Sequence, residues 1–370
     1  MSEFLEEAKN IMTAGISQHK KTKIIGYWLL LGVAMIIIQT LIGGITRLSG
    51  SGLSITEWNV VTGTLPPLNR AQWIEQFDKY RETPQYRLLN ADFTLNDFKF
   101  IFFWEWFHRL WARLIGVVFI IPFIYFWIKK YFTREMLLPF TIMFILGALQ
   151  GAVGWIMVVS GLSGDAVYVR PTRLALHFVF AMVLCCYVLW FALKLLVNKN
   201  QQLASSSLKW LVVFILALLF VQLTYGALMA GHKAAPAAAT WPTINGQWIP
   251  GNMLQSASGH PMLENVITVH FVHRGLAYLL ALAVLLHSVL SLKISNTSAM
   301  YRKWRHVPLM LVIVQIALGI LTVLSSVRVH ANKWGWFETI AEMHQLVAMF
   351  LMIALVVQLY LLKFKNTLHA

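Results

Sequence analysis

Eight apolar stretches, each long enough to cross a bilayer as a helix, divide this chain and leave little room for anything else. They run at roughly 24–46, 100–128, 137–160, 173–193, 208–230, 264–292, 307–327 and 338–362. About 20 apolar residues cover about 30 Å of hydrocarbon. Lipid offers no partner to backbone N–H and C=O groups, so a spanning chain must be helical or a closed barrel. Barrel strands alternate in polarity over about ten residues, and these segments do not. Of 370 residues, 58% are hydrophobic and only 12% charged, too little charge to cover a water-soluble domain of this size. The prediction is an all-α integral membrane protein with eight transmembrane helices.

The formal charge of +15 raises the question of nucleic acid, but the basic residues sit in short loops between spans. No nucleic-acid partner is expected. Compact basic clusters mark the side that holds the amino terminus: His19, Lys20, Lys21 and Lys23; Lys129, Lys130 and Arg134; Arg302, Lys303 and Arg305. The opposite side has the longer, acid-mixed loops 47–99 and 231–263. Short basic loops read as cytoplasmic, which places both termini inside. The opening residues carry Glu3, Glu6 and Glu7 and no apolar core before Ile24, unlike a secretory signal or a transit peptide. Cys185 and Cys186 are adjacent within a span and read as small buried apolar residues rather than a disulfide or a zinc cluster.

An internal repeat sets the architecture. The odd-numbered spans each carry Gln-x-x-x-Gly: Gln39/Gly43, Gln150/Gly154, Gln222/Gly226 and Gln315/Gly319. The even-numbered spans each carry a histidine near the outer end: His108, His177, His273 and His344. Gln150 and Gln315, like His108 and His273, are 165 residues apart. Four spans per half is an even number, so the halves enter the membrane in the same sense. The chain therefore divides into a cytoplasmic segment 1–23, a first half 24–200 that includes outer loop 47–99, and a second half 201–370. The halves are expected to be parallel four-helix-bundle repeats about an axis along the membrane normal. Glycine allows close helix approach and glutamine bonds across the interface, which is the structural reading of Gln-x-x-x-Gly; a catalytic role for glutamine is the alternative.

A lone intramembrane histidine can be hydrogen-bonded packing, but four at equivalent positions point to function. Each lies about four to nine residues into its span, roughly 6–14 Å from the helix start. Zinc would need three or four ligands at one point. Haem needs two opposed axial ligands and an apolar slot between helices. The pairs are then His108 with His177 and His273 with His344, as haem iron ligands. Trp104, Trp106, Phe107 and Trp111 flank His108, and Phe271 and Tyr278 flank His273. Arg109 and Arg274 follow two of the histidines; each is either a donor to haem propionates or a cation snorkelling to the outer headgroups.

The repeat breaks in one informative place. Glu105 aligns with His270, giving Glu105-x-x-His108 in one half and His270-x-x-His273 in the other. A carboxylate beside a haem ligand can move protons or stabilise a developing cation; the alternative is an outer-edge ion pair with Arg109 or Arg113. His270 competes with His273 as ligand, and the match to His108 favours His273. In loop 47–99, Trp73, Phe77 and Tyr80 share one face of a short helix, which either rests on the membrane interface or forms a lid over a site.

These residues resemble the haem A synthases of bacteria and mitochondria. GGITRLSGSGLSITEW, PPLNRAQWIEQFDKYRETPQYRLLN, WEWFHRLWARLIG, LGALQGAVGWIMVVSGL, HFVHRGLAY and EMHQLVAM carry the likeness, from about residue 26 to 360. The resemblance implies a membrane haem-dependent oxidoreductase that converts the C8 methyl of haem O to the formyl group of haem A by two successive hydroxylations. It implies a haem b cofactor at His273 and His344 with Arg274. It implies haem O as substrate at His108 and His177 with Arg109, and catalytic Glu105 nearby. The partners it implies are the membrane enzyme that makes haem O, an electron donor and the lipid bilayer; a homo-oligomer is open. It places the chain in a bacterial plasma membrane, multi-pass, with the haem sites toward the outer face. One branch of the family has a cysteine pair in an outer loop, and no outer loop here contains cysteine. Two other classes compete. A di-haem b-type electron carrier without haem-modifying activity would need no special carboxylate. A haem transporter would place sites on both membrane faces.

Overall fold

The computed structural model describes residues 2–57, 62–255, 259–295, 297–328 and 334–364, with side chains from Gln18 onward except Thr62 and Arg328. The side chains of Glu3, Glu6 and Glu7 lie outside the described residues. Among these the chain is helical throughout: α1 Ser2–Leu48, α2 Arg70–Arg81, α3 Pro84–Leu89, α4 Leu95–Ile128, α5 Arg134–Val159, α6 Pro171–Leu196, α7 Ser206–Gly231, α8 Pro261–Glu264, α9 Val266–Leu292, α10 Ala299–Trp304, α11 Val307–Ser325 and α12 Trp336–Leu361. Eight of them, α1, α4, α5, α6, α7, α9, α11 with the preceding α10, and α12, are long and apolar enough to cross a membrane. They coincide with the eight apolar stretches. The first runs unbroken from Ser2, so the stretch 24–46 is the apolar part of a longer helix.

Helix starts follow local chemistry. Thr94 and Asp97 form a reciprocal capping box at the start of α4, which satisfies orphan N–H groups before the chain enters the apolar run. Asn69 caps α2 by accepting the Gln72 N–H at 3.0 Å, and Pro171 and Pro308 open α6 and α11, where their missing N–H costs nothing.

Packing divides the spans into inner and outer helices. α1 lies along α4 and α6, α6 also meets α5 and α7, α7 meets α9, and α11 meets α12. α12 reaches α1, α6 and α7 as well, and 61% of its apolar stretch is buried against 6% for α4 and for α5. The central layer is therefore α1, α6, α7 and α12, and its side chains form the main core around Ile25, Leu29, Met182, Ile215, Leu219, Met349 and Leu351. A two-residue parallel pairing of Leu203–Ala204 with Leu362–Lys363 fastens the end of α12 to the segment before α7.

The long loop between α1 and α4 folds back onto α4. Trp73, Phe77 and Tyr80 share one face of α2, and that face turns onto the protein. Trp73 meets Phe102 at 5.1 Å between ring centroids, Phe77 meets Phe98 at 5.1 Å, and Tyr80 meets Phe98 at 5.3 Å. Tyr80 and Phe98 are fully buried. The aromatic face thus lies on α4 and not in lipid, because the rings exposed on the first turns of α4 offer a better-matched apolar surface. Gln85 Nε2 donates to Gly50 O at 3.4 Å and Val167 O at 3.3 Å, tying this loop to the one between α5 and α6.

Candidate functional site

Each of the four histidines stands on an even-numbered span and meets the glutamine and glycine of an odd-numbered one. Gln39 Nε2 lies 3.1 Å from His108 Nδ1, and Gln150 Nε2 lies 3.2 Å from His177 Nδ1. Gln222 Nε2 lies 3.2 Å from His273 Nδ1, and Gln315 Nε2 lies 3.3 Å from His344 Nε2. The glycine one turn on makes room for the ring. A Cβ at Gly43, Gly154, Gly226 or Gly319 would come within 2.9, 2.8, 3.3 and 3.0 Å of the Cε1 atom of its histidine. The motif that reads as helix-to-helix packing is thus a seat for one imidazole, used four times. The other amide atom, Oε1 of Gln39, Gln150, Gln222 and Gln315, is buried without a hydrogen-bond partner in every copy.

The second pair faces across a narrow gap. The His273 and His344 ring centroids are 6.4 Å apart. His344 Nδ1 lies 3.1 Å from Gln315 O. A carbonyl only accepts, so Nδ1 carries the proton and Nε2 keeps a lone pair. His270 is different. Its Nε2 donates to Ala234 O at 2.7 Å, and its Nδ1 accepts from Arg274 Nη2 at 3.3 Å. Both nitrogens of His270 are engaged by the loop and by Arg274, whereas His273 meets Gln222 on α7 as His108 meets Gln39 on α1.

Glu105 occupies the position equivalent to His270 and is equally enclosed, at 3% exposure. Its Oε1 accepts from Arg109 Nη2 at 2.6 Å. Its Oε2 accepts from Ser54 N at 2.7 Å, Ser54 Oγ at 2.8 Å and Ile55 N at 2.9 Å. The ion pair with Arg109 is therefore present, and residues 54–57 of the loop close over it. The arginines fasten loops. Arg109 donates to Ile55 O and Glu57 O, both at 3.1 Å. Arg274 donates to Ala238 O at 2.8 Å, Thr240 O at 2.9 Å and Thr243 O at 3.2 Å. This loop-anchoring role adds to the two read from sequence and could not be read there, since it depends on where residues far away in the chain return.

Sequence reasoning passed over a polar cluster where α1, α7 and α12 meet. Arg47 Nη1 donates to Ala230 O at 2.9 Å, Gln345 Nε2 donates to Thr40 O at 3.1 Å, and the Glu342 carboxylate lies against Gly44. Glu338 and Glu342 are each 6% exposed. Two carboxylates within an apolar span are a signal that the cost of burying charge alone makes visible.

Among the described residues, no three or more His, Cys, Asp or Glu side chains converge as a site for a bare metal ion. His273 on α9 and His344 on α12 instead stand as a pair, their ring centroids 6.4 Å apart. Fold and site together define a polytopic helical membrane protein with four histidines seated by glutamines among its interior polar groups.

Residues 26–356 match the family described as cytochrome oxidase assembly protein. A Bradyrhizobium diazoefficiens protein named heme A synthase is 40% identical over 322 residues, covering 86% of this chain and 88% of its own length. Proteins of the same name from Flavobacterium psychrophilum and Rhodospirillum centenum are 41% and 46% identical, covering 83% and 71% of this chain and 91% and 71% of their own lengths. The chain belongs to the cytochrome oxidase assembly protein family.

Proposed function

We propose that this chain oxidises the C8 methyl of haem O to the formyl group of haem A, with haem O held in the first half and a haem b in the second. The activity is carried by relatives named heme A synthase that align over most of the chain. The assignment to halves rests on one observation: matched histidine seats with a carboxylate, Glu105, in one half and an imidazole, His270, at the same place in the other. The same helix pairings recur, α1 with α4 and α7 with α9, α5 with α6 and α11 with α12, which supports two parallel four-helix repeats, 24–200 and 201–370.

The residues of the second half fit a haem: His273 and His344, whose ring centroids stand 6.4 Å apart on α9 and α12, would hold its iron. The Gln315 carbonyl accepts the His344 Nδ1–H, as an outer-shell partner does for a metal-bound imidazole, and the Nε2 lone pair, here 3.3 Å from Gln315 Nε2, would turn to the iron. A half-turn of a glutamine amide exchanges its N and O atoms, so that Oε1 accepts a ring N–H and gives the same support. When bound, haem b supplies one-electron chemistry. The protein's own part is to orient the imidazoles and cover the sites from water. The Arg109 and Arg274 guanidiniums anchor the covering loops and place positive charge at the outer edge, where it favours propionate carboxylates. In the first half Glu105 stands one turn before His108 as the group that holds or moves a proton during oxidation. Both termini are then cytoplasmic and the sites lie toward the outer face. A membrane enzyme delivers haem O, and a separate donor supplies electrons.

The test is expression in membranes supplied with haem O, followed by extraction and mass analysis of the porphyrins. Hydroxylated and formylated haem are expected; bound haem b with haem O recovered unaltered would end this reading.

A further inference from the structure

We infer that Ser54 is the positioning residue for Glu105, setting the direction of its carboxylate through its backbone N–H and its hydroxyl. The inference rests on the proposal that Glu105 acts in the oxidation. A glutamate has several rotatable bonds, and holding one rotamer costs entropy that fixed donors must offset. Oε2 receives three donors, and all three come from the dipeptide Ser54-Ile55, at 2.7, 2.8 and 2.9 Å. Ser54 is 2% exposed, so water does not compete for these bonds. The hydroxyl has one other acceptor in reach, Ile101 O at 3.3 Å, and the shorter, charge-assisted bond to Glu105 is preferred.

The segment that carries the dipeptide is itself fastened by two cations. Arg109 holds the carbonyls of Ile55 and Glu57 at 3.1 Å. Lys79 on α2 pairs with Glu57 at 2.9 Å, and α2 is docked on α4 through its aromatic face. The second half shows that the donors are matched to a carboxylate and are not generic loop packing. At the equivalent position the loop offers His270 an acceptor, Ala234 O, where the first half offers Glu105 three donors. Each loop presents the polarity its partner requires.

The experiment uses full-length protein in membranes supplied with haem O, comparing Ser54→Ala, Ser54→Thr, Glu105→Gln and the Ser54→Ala/Glu105→Gln double variant. The readouts are the ratio of formylated to unmodified haem and the haem b content. Ser54→Ala is expected to lower the formylated fraction about tenfold, the size of losing one hydrogen bond to a charged group, with haem b content unchanged. Ser54→Thr restores it. In the Glu105→Gln background Ser54→Ala adds nothing, because both act through one carboxylate. Wild-type product from Ser54→Ala, or equal further loss in the double variant, overturns the positioning role while leaving Glu105 in place. Unchanged product from Glu105→Gln instead removes the reading on which this inference rests. Should Ser54→Ala protein not accumulate, Ser54→Cys keeps the size, weakens the donor and is expected to give the same product shift; wild-type product from it overturns the inference.

Discussion

A histidine ring that must face a partner across a gap needs its position fixed to a fraction of an ångström, and here single atoms do this. The absence of a Cβ at Gly154 leaves space for the His177 ring, and a methyl added there would stand 2.8 Å from Cε1. Such overpacking costs about 1–3 kcal/mol. Gly154→Ala is therefore expected to push His177 off its seat and lower haem A formation about tenfold with haem b content unchanged, as extraction and absorbance would measure. Tyr80 is the counterpart on α2. Burial pushes its hydroxyl up to about 12 from the ordinary 10.0, partly offset by the hydrogen bond from Asn90. The folded state thus holds this proton more tightly than the unfolded chain does. Its contribution to stability is intact below pH 10 and is lost as pH rises toward 12. An ultraviolet titration should find the tyrosinate signal at pH 11 unchanged by Tyr80→Phe, and a decrease on substitution would contradict this.

Among the elements, α2 shows what a sequence can and cannot disclose. Its one-sided aromatic spacing was legible as an amphipathic helix, because periodicity is a local property. That its face docks on Phe98 and Phe102 was not legible, since the partner depends on how a long loop turns back. The eight spans were readable for the same local reason, and the histidine, glutamine and glycine positions because they repeat. Ser54 was invisible: its role exists only once the loop returns to Glu105. Phe98 is the fully buried centre of the docked cluster. Phe98→Ala should cost about 3–5 kcal/mol locally and free α2 from α4. Limited proteolysis would then cut within 62–94 in the variant and spare the wild type; equal resistance would show that α2 is held by other contacts.

In the whole molecule, a central layer of α1, α6, α7 and α12 forms the junction of the two proposed halves; the four imidazoles are seated alike, and Glu105 stands near His108 where His270 stands near His273. The cluster of Arg47, Glu338 and Glu342 lies at that junction, where buried charge must be balanced within the protein. The central claim is a division of labour between the histidine pairs: a resident haem b in the second half and the substrate in the first. It is tested most directly by measuring haem b content and haem A formation together in His108→Ala, His177→Ala, His273→Ala and His344→Ala. The account predicts that the last two lose haem b, while the first two keep it and make no haem A. Haem b retained without His273 or His344, or lost without His108 or His177, would contradict it.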